Sequence, residues 1–424
     1  MKKDLAITFF NYAFVFVCGL VVYKVAAKGF GPAGFGEYAL ARRAVSFLQP
    51  ILLMGLSVGL VRYIAISSAK EAGRQRAVYI LAGFGVVSVF SLALMAVVNA
   101  MPGLFSKMVF GKPGYEGMVL SISFLAESYV FNSLVFAYYR GMGIFMKANA
   151  IMTLSQGVIP LAALLVAPSV KVALDITSAA IVLSSVYYTL PIIRDLRANL
   201  GGAKLGGSVG ELVRYGTVRI PGDLSMAGML ALPAFLTSNI YGIQEAGYMA
   251  FGISLVNMVG AIFGPIGFVT LPRLSAILAA GKHEDARVIM KQVILYTVLI
   301  STAVTALIVI FADFLVTTWL GPKFTGSADI IRVAVLASVP HALYVSLRSS
   351  IDAAYVKAIN AANVYKALIV SLLCYLVVKV GAVGIIGIPL AFAAGFSVLA
   401  ALTTKVALET YGLQLRPSFG RTRE

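Results

Sequence analysis

Apolar residues form twelve continuous runs along the chain, separated by short polar segments. The runs cover residues 5–27, 37–61, 77–100, 116–138, 149–167 and 174–193 in the first half, and 216–240, 246–271, 292–314, 328–350, 364–380 and 384–408 in the second. Each run has roughly the length of about 20 residues that a helix needs to cross a bilayer. None shows the period-two alternation of membrane barrel strands. The pattern therefore predicts an all-α membrane protein with twelve transmembrane helices.

The second six runs repeat the first six. Gly31-Pro-Ala-Gly-Phe-Gly36 follows the first run, and Gly242-Ile-Gln-Glu-Ala-Gly247 follows the seventh, at an offset of 242 − 31 = 211 residues. At an offset of 210, Phe110-Gly111 matches Leu320-Gly321. Six is an even number, so both halves enter the membrane in the same direction and are related by an axis along its normal. Duplicated halves are typical of secondary transporters, with the substrate between them.

We expect a six-helix lobe over residues 1–200, a cytoplasmic linker over 201–215 and a second six-helix lobe over 216–424. The linker is indicated by its paired glycines around Lys204.

Composition agrees with a membrane location. The chain is 60% hydrophobic and 12% charged, with a mean hydropathy of +0.93, whereas soluble domains are about 45–50% apolar and about 25% charged. The net charge of +17 follows from topology, because one set of loops and termini carries 22 basic residues and the other set carries 6. The first set is predicted to be cytoplasmic, with both termini inside. This explanation leaves no need for nucleic-acid binding.

The remaining basic residues lie inside predicted spans: Lys24, Arg42, Arg43, Arg219, Arg332 and Arg348. A cation at the centre of a lipid-facing helix costs about 2.5–3.5 kcal/mol, so such residues usually face a bundle interior or a wet cavity. Lys24 and Arg332, near span ends, have the alternative of extending to the lipid headgroups. Arg42 and Arg43 point about 100° apart around a helix, so at most one of them faces a partner helix directly.

Acidic residues accompany two of these cations. Arg219 and Asp223 are four residues apart, as are Arg348 and Asp352, which puts each pair on one helix face. Each pair is either self-neutralising or part of an inner gate or anion site. Glu127 is the acid nearest the middle of a span. It is a candidate for binding a coupling ion, H⁺ or Na⁺, and equally a counter-ion for an arginine.

Other chemistry is weakly represented. Cys18 and Cys374 lie in apolar runs, and the two histidines lack metal-ligand spacing, so we expect no metal site, no cofactor and no disulfide. Polar span residues that could meet a hydroxyl-rich substrate are Asn11, Gln49, Asn132 and Gln156.

Four segments resemble the polysaccharide or O-antigen flippases of the multidrug/oligosaccharidyl-lipid/polysaccharide exporter superfamily. They are Gly31-Pro-Ala-Gly-Phe-Gly-Glu-Tyr-Ala39, Gly59-Leu-Val-Arg-Tyr-Ile-Ala65, Leu271-Pro-Arg-Leu-Ser275 and Trp319-Leu-Gly-Pro-Lys-Phe324. The resemblance implies two six-helix lobes in a V and export of a glycan carried on a polyprenyl (pyro)phosphate by alternating access. The resemblance also implies a cationic cavity that binds the substrate. The residues expected to line it are Lys24, Arg42, Arg43 and Arg219, and Arg348 is a further candidate for an anion site.

The chain departs from this superfamily at two points. Relatives often carry an acid where Ser238 and Asn239 stand, which weakens an ion-coupling role there. The peptidoglycan lipid flippases tend to have two extra helices, which we do not expect here.

The expected protein is a transporter and not an enzyme. Its partners are a lipid-linked glycan, membrane lipids and glycan polymerase or ligase machinery. Two alternatives remain: a cation-coupled multidrug antiporter of the same superfamily, which needs acids such as Glu127 and Asp223 in the cavity, and a membrane glycan polymerase or ligase, which needs acids on outer loops such as Glu116 and Asp329.

Overall fold

The computed structural model describes residues 2–69, 72–199, 206–355, 359–381 and 383–413, and these residues are almost entirely helical. The first ten helices are α1 Lys2–Leu52, α2 Leu56–Ala69, α3 Gly73–Ala100, α4 Pro102–Phe110, α5 Glu116–Gly141, α6 Phe145–Thr153, α7 Ile159–Val166, α8 Val170–Asn199, α9 Gly206–Thr217 and α10 Ile220–Ile240. The others are α11 Ile243–Ile262, α12 Gly264–Ala279, α13 His283–Ile310, α14 Ala312–Leu315, α15 Ala328–Ala334, α16 Ser338–Ala354, α17 Ile359–Val380 and α18 Gly387–Thr410.

Within the described ranges, 11 helical segments are long and apolar enough to cross a membrane. The first covers Phe10–Leu52, which is 43 residues and about twice the length of one crossing. Its backbone leaves the helical region at Gly31, where φ is 66°, so it divides into two crossings. The lengths thus accommodate the twelve predicted spans and confirm the predicted fold class.

Helix breaks are the main departure from the predicted spans. The second span was predicted as continuous over 37–61, but a turn at Leu53–Gly55 separates α1 from α2. The tenth was predicted as continuous over 328–350, but a 3₁₀ turn, Val335–Ala337, separates α15 from α16. Pro340 has no N–H to donate to the carbonyl of Leu336, and this missing bond explains the tighter turn.

Part of the predicted linker is helical. Residues 206–215 belong to α9, which packs against α2 and α3. Residues 200–205, with Lys204, lie outside the described residues, as do Lys357 and the terminal residues Met1 and Gln414–Glu424.

The chain forms two compact units. The first comprises Met1–Ala250 and Thr317–Phe324, and the second comprises Phe251–Val316 and Thr325–Glu424. In the first unit α5 packs against α1, α2 and α8, and α10 packs against α1. In the second, α16 packs against α12, α13 and α18. The predicted division into lobes of residues 1–200 and 216–424 stays a prediction.

The repeat glycines share an unusual backbone conformation. Gly31 and Gly242 have φ of 66° and 114°, and Gly111 and Gly321 have φ of 74° and 112°. A left-handed conformation at these turns favours glycine, which gives a physical reason for the two sequence echoes.

Candidate functional site

A cavity of about 70 Å³ lies in the first unit. Its lining comes from α1, α5, α7, α8 and the turn before α7: Tyr38, Arg42, Val45, Ser46, Gln49, Leu125, Tyr129, Gln156, Pro160, Leu174 and Thr177. Amides, hydroxyls and one guanidinium supply its polar atoms, and no carboxylate is among its lining residues. We call it the Arg42 cavity.

Pro160 shapes one wall of the Arg42 cavity. Proline lacks an N–H, so the carbonyl of Gln156, four residues earlier, loses its α-helical donor. The chain widens into a π-helical turn at Leu154–Val158, in which the N–H of Ile159 donates to the carbonyl of Leu154. Such turns are frequent at functional sites, and here the turn carries Gln156 to the cavity.

The Tyr129 hydroxyl ties α5 to this turn. It donates to the carbonyl of Ser155 at 3.1 Å. On α1, the Gln49 amide donates to the Ser133 hydroxyl at 3.1 Å, so the side chains of the cavity are positioned by contacts within the first unit.

Arg42 and Arg43 have different environments. The Arg42 guanidinium lines the cavity, and its only polar contact among the described residues is a long one of 3.4 Å to the Tyr38 hydroxyl. Arg43 is 6% exposed. It donates to the carbonyl of Ala250 at 2.9 Å and also hydrogen-bonds Tyr23. Arg42 thus lines the cavity, whereas Arg43 contacts the backbone of α11, and a substrate-binding role for either residue stays a prediction.

Lys24 lies over the only tryptophan of the chain. Its Nζ is 4.5 Å from the centre of the Trp319 ring, and the indole N–H donates to the carbonyl of Leu20 at 3.1 Å. The Lys24 side chain is exposed. A cation–π contact of this kind is compatible with a further anion contact on the solvent side of the ammonium.

Arg219 lies just before α10 and is exposed. Its Nη1 donates to the hydroxyl of Tyr215 at 3.0 Å. Asp223 lies one helical turn further on and is also exposed. The structure therefore uses Arg219 to join α9 to the start of α10.

Arg348 and Asp352 lie in the second unit, and both are exposed. Asn360 at the start of α17 donates to the backbone carbonyl of Arg348 at 2.8 Å and to the carboxylate of Asp352 at 2.7 Å. This clamp fixes the end of α16 against α17.

Glu127 is half-buried between α3 and α5. Its Oε2 accepts a hydrogen bond from Ser91 at 3.0 Å, and its Oε1 is buried without a partner in the described part of the chain. No arginine pairs with it among these residues, so the counter-ion interpretation has no support here. Its role in coupling or gating stays a prediction, as do those of Asp223 and Asp352.

Two of the four predicted hydroxyl-binding residues lie in the Arg42 cavity, namely Gln49 and Gln156. The other two serve the packing: Asn132 donates to Ser185 at 3.0 Å, and Asn11 accepts from Thr153. Ser238 and Asn239 donate to carbonyls at the end of α4, those of Val109 and Met108.

Sequence reasoning missed the cavity hydroxyls of Tyr38, Ser46, Tyr129 and Thr177. The sequence spacing indicates part of this cavity, because Tyr38, Arg42 and Gln49 are four and seven residues apart and therefore lie on one face of α1. The described residues contain no group of three His, Cys, Asp or Glu side chains placed to hold a metal ion.

No protein-family model matches this chain. Two curated relatives, the Lipid III flippases of Escherichia coli (strain K12) and Shigella flexneri, are each 28% identical to it over 127 residues. That match spans 29% of this chain and 29% of each relative, well under two thirds of the length of either protein.

Solved membrane transporters are similar over nearly the whole chain. The lipid II flippase MurJ in an inward closed conformation gives a TM-score of 0.72 with 14% identity, covering 96% of this chain and 88% of that one. An inward-facing multidrug resistance MATE family transporter of the MOP superfamily gives 0.69 with 17% identity, covering 93% and 95%. The eukaryotic MATE transporter AtDTX14 gives 0.65 with 12% identity, covering 96% of each chain. The chain is therefore an all-α membrane protein with the fold of MurJ and the MATE transporters of the MOP superfamily.

Proposed function

We propose that this protein is a transporter that flips a polyprenyl-(pyro)phosphate-linked oligosaccharide from the inner to the outer leaflet. The observation that carries the proposal is Arg42: a guanidinium without an ion-pair partner among the described residues, in a cavity otherwise lined by amides, hydroxyls and apolar groups. Such a lining favours a ligand that is anionic and rich in hydroxyls. A cationic drug would leave Arg42 facing a like charge.

The size of the cavity limits what it holds. Ligand pockets commonly measure about 300–1,000 Å³, whereas the Arg42 cavity measures about 70 Å³. The cavity leaves room for a small anionic group such as a phosphate. A whole oligosaccharide needs a more open state of the protein. The named function of the two partial relatives, flipping of lipid III, supports a lipid-linked substrate of this kind.

Membrane potential supplies a driving force for such a substrate. An anion that leaves a negative-inside cytoplasm gains about 2.3 kcal/mol per charge for each 100 mV. Both termini are placed in the cytoplasm of a cell-membrane protein in this proposal, as the distribution of basic residues predicts. Glycan polymerase or ligase machinery on the outer side would then consume the product.

The test is a flipping assay in proteoliposomes with a fluorescent polyprenyl-pyrophosphate glycan and an imposed potential. We expect Arg42→Gln to lower the rate at least tenfold. Arg197→Gln removes an exposed charge of the same kind on α8 and should leave the rate within twofold of wild type. A rate that is unchanged by Arg42→Gln, or by collapse of the potential and all ion gradients, contradicts the proposal.

The second candidate, a cation-coupled multidrug antiporter, is favoured by one observation, the unpartnered buried oxygen of Glu127. Proton- or Na⁺-dependent efflux of a lipophilic cation that Glu127→Gln abolishes would replace our proposal by this one. The similar proteins named above are flippases and transporters, which agrees with a protein that is not an enzyme. Formation of a glycosidic bond by the purified protein would contradict that assignment.

A further inference from the structure

Two helix breaks meet in the first unit, at Met54–Gly55 between α1 and α2 and at Val218–Arg219 between α9 and α10. Gly55 has a φ of 66°, and a Cβ added there would lie 2.9 Å from the carbonyl oxygen of Gly216 and 3.1 Å from Cβ of Arg219. Met54 has a φ of 49° and is the only non-glycine residue with positive φ in the described ranges. Such strain persists where the surrounding structure fixes it, and it clusters at functional sites.

The aromatic ring of Tyr215 lies beside these breaks. It packs on α2 at Gly59, where an added Cβ would lie 2.8 Å from Cδ1 of the ring. The ring of Tyr63 meets it edge-on, with centroids 5.8 Å apart. Tyr215 is therefore held on two sides by α2.

Two exposed guanidiniums lie close to the Tyr215 ring. The Cζ atom of Arg62 lies 5.8 Å from the centre of the Tyr215 ring, and the Cζ atom of Arg219 lies 5.6 Å from it. The two charges are thus within about 12 Å of each other. This upper limit leaves the two guanidiniums close enough to contact one phosphate or diphosphate group, and arginine is the side chain best suited to bind phosphate oxygens.

Two acids lie near this pair of cations: Glu211 on α9, and Asp223, which is four residues after Arg219. Glu211 accepts the hydroxyl of Tyr79 at 2.7 Å and also hydrogen-bonds Tyr63. Within the described residues, neither Arg62 nor Arg219 takes part in an ion pair. Both side chains are exposed, so water screens their mutual repulsion, and the pair stays available to an anion that contacts both.

We propose that Arg62, Tyr215 and Arg219 form a second anion site, for the phosphate or diphosphate group of an amphipathic lipid. It is separate from the Arg42 cavity, because Arg42 lies ten residues before Leu52, the end of α1, or about 15 Å along the helix. Arg62 and Arg219 both lie towards the predicted cytoplasmic side. This inference rests on the proposed function: the lipid-linked substrate first docks at this second site, and its phosphate group then reaches Arg42.

The test measures binding of farnesyl diphosphate to the full chain in nanodiscs of zwitterionic lipid. We expect Arg62→Gln and Arg219→Gln each to weaken binding about tenfold, and Tyr215→Phe to weaken it less, because the ring stays. Arg214→Gln removes a charge from the same helix end as Tyr215 and should change the affinity less than twofold. Farnesol, which lacks the diphosphate, should bind all forms equally. Wild-type affinity in the Arg62 and Arg219 variants overturns the site.

Two further arms identify the source of the phosphate. If phosphatidylglycerol in the nanodiscs competes with farnesyl diphosphate only when Arg62 and Arg219 are present, the site binds phosphate on either lipid. If it does not compete, the site is selective for the diphosphate. Soluble pyrophosphate should compete weakly, since it lacks the lipid tail.

Failure of this site and failure of the proposed function are distinguishable. Glycan flipping that depends on Arg42, with farnesyl diphosphate binding that is indifferent to Arg62 and Arg219, removes the second site and keeps the function. Binding that depends on Arg62 and Arg219, with flipping that is indifferent to Arg42, does the opposite.

Discussion

Gly36 and Gly247 occupy equivalent positions in the two halves of the chain, and they pack directly against each other. A Cβ added to Gly247 would lie 2.5 Å from the Cα of Gly36 and 3.2 Å from Cδ1 of Phe35. The repeat offset of 211 residues relates these two positions, and both lie in the first unit. Both glycines are buried, so the echo that marks the repeat in the sequence also has a packing role.

Gly247→Ala should destabilise the protein by about 1–3 kcal/mol, the usual cost of forcing an extra methyl group into a packed position. The neighbouring atom is backbone and cannot rotate away. Gly85→Ala is the matched control, because a Cβ at this helical glycine meets nothing within 4 Å and alanine is the better helix former by about 1 kcal/mol. Thermal unfolding in detergent measures both. Equal stability of the two variants would contradict the close contact.

Arg42 and Arg43 should separate function from stability. Arg43→Gln breaks a buried charged hydrogen bond to Ala250, worth about 1.5–3 kcal/mol, and should lower the unfolding temperature clearly. Arg42→Gln should leave that temperature within experimental error and reduce glycan flipping. If instead Arg42→Gln is the destabilising change, Arg42 belongs to the packing and the cavity assignment fails.

Trp319, the sole tryptophan, gives a spectroscopic view of its contact with Lys24. Lys24→Met removes a cation–π contact worth about 0.5–1 kcal/mol at an exposed site and should change the emission of Trp319. Trp319→Phe removes the hydrogen bond to Leu20 and should cost about 1 kcal/mol. The double variant should lose less than the sum of the two, because both changes act on one contact. Strict additivity would show that the two side chains do not interact.

Asp195 is the centre of a network at the ends of α3, α5 and α8. Arg76 donates to its two oxygens at 2.6 and 3.1 Å, Tyr138 donates at 3.2 Å, and Asn199 donates at 2.9 Å. Asp195→Ala should cost about 2–3 kcal/mol, since it leaves several donors without an acceptor. Arg76→Ala should cost less, because Asp195 keeps Tyr138 and Asn199.

The exposed pair of Lys171 and Asp175 is the control for that network. These side chains are 51% and 40% exposed, with N and O 3.0 Å apart. Lys171→Ala should cost only about 0.3–0.5 kcal/mol. A comparable loss in Lys171→Ala and Asp195→Ala, measured by thermal unfolding, would show that burial of the network contributes nothing.

The lengths of the apolar runs determined that the chain is helical and spans a membrane, because a lipid environment leaves few other ways to satisfy the backbone. Pro160 and Pro340 also mark in the sequence where a helix is disturbed, because a proline lacks the N–H that the helical hydrogen bond needs. The break after Leu52 was not predicted. Pro50 lies near it, but the turn itself depends on Gly55 fitting against Gly216 and Arg219, which are more than 150 residues away.

The sequence by itself determined that charge is present inside apolar spans and that the two halves repeat. Only the tertiary structure decided what each charge contacts. Arg42 and Arg43 are chemically identical neighbours, and their contacts differ because one side of α1 faces a cavity and the other faces the carbonyl of Ala250. Likewise, nothing near Arg62 in the sequence indicates Tyr215 or Arg219, since long-range packing alone brings them together.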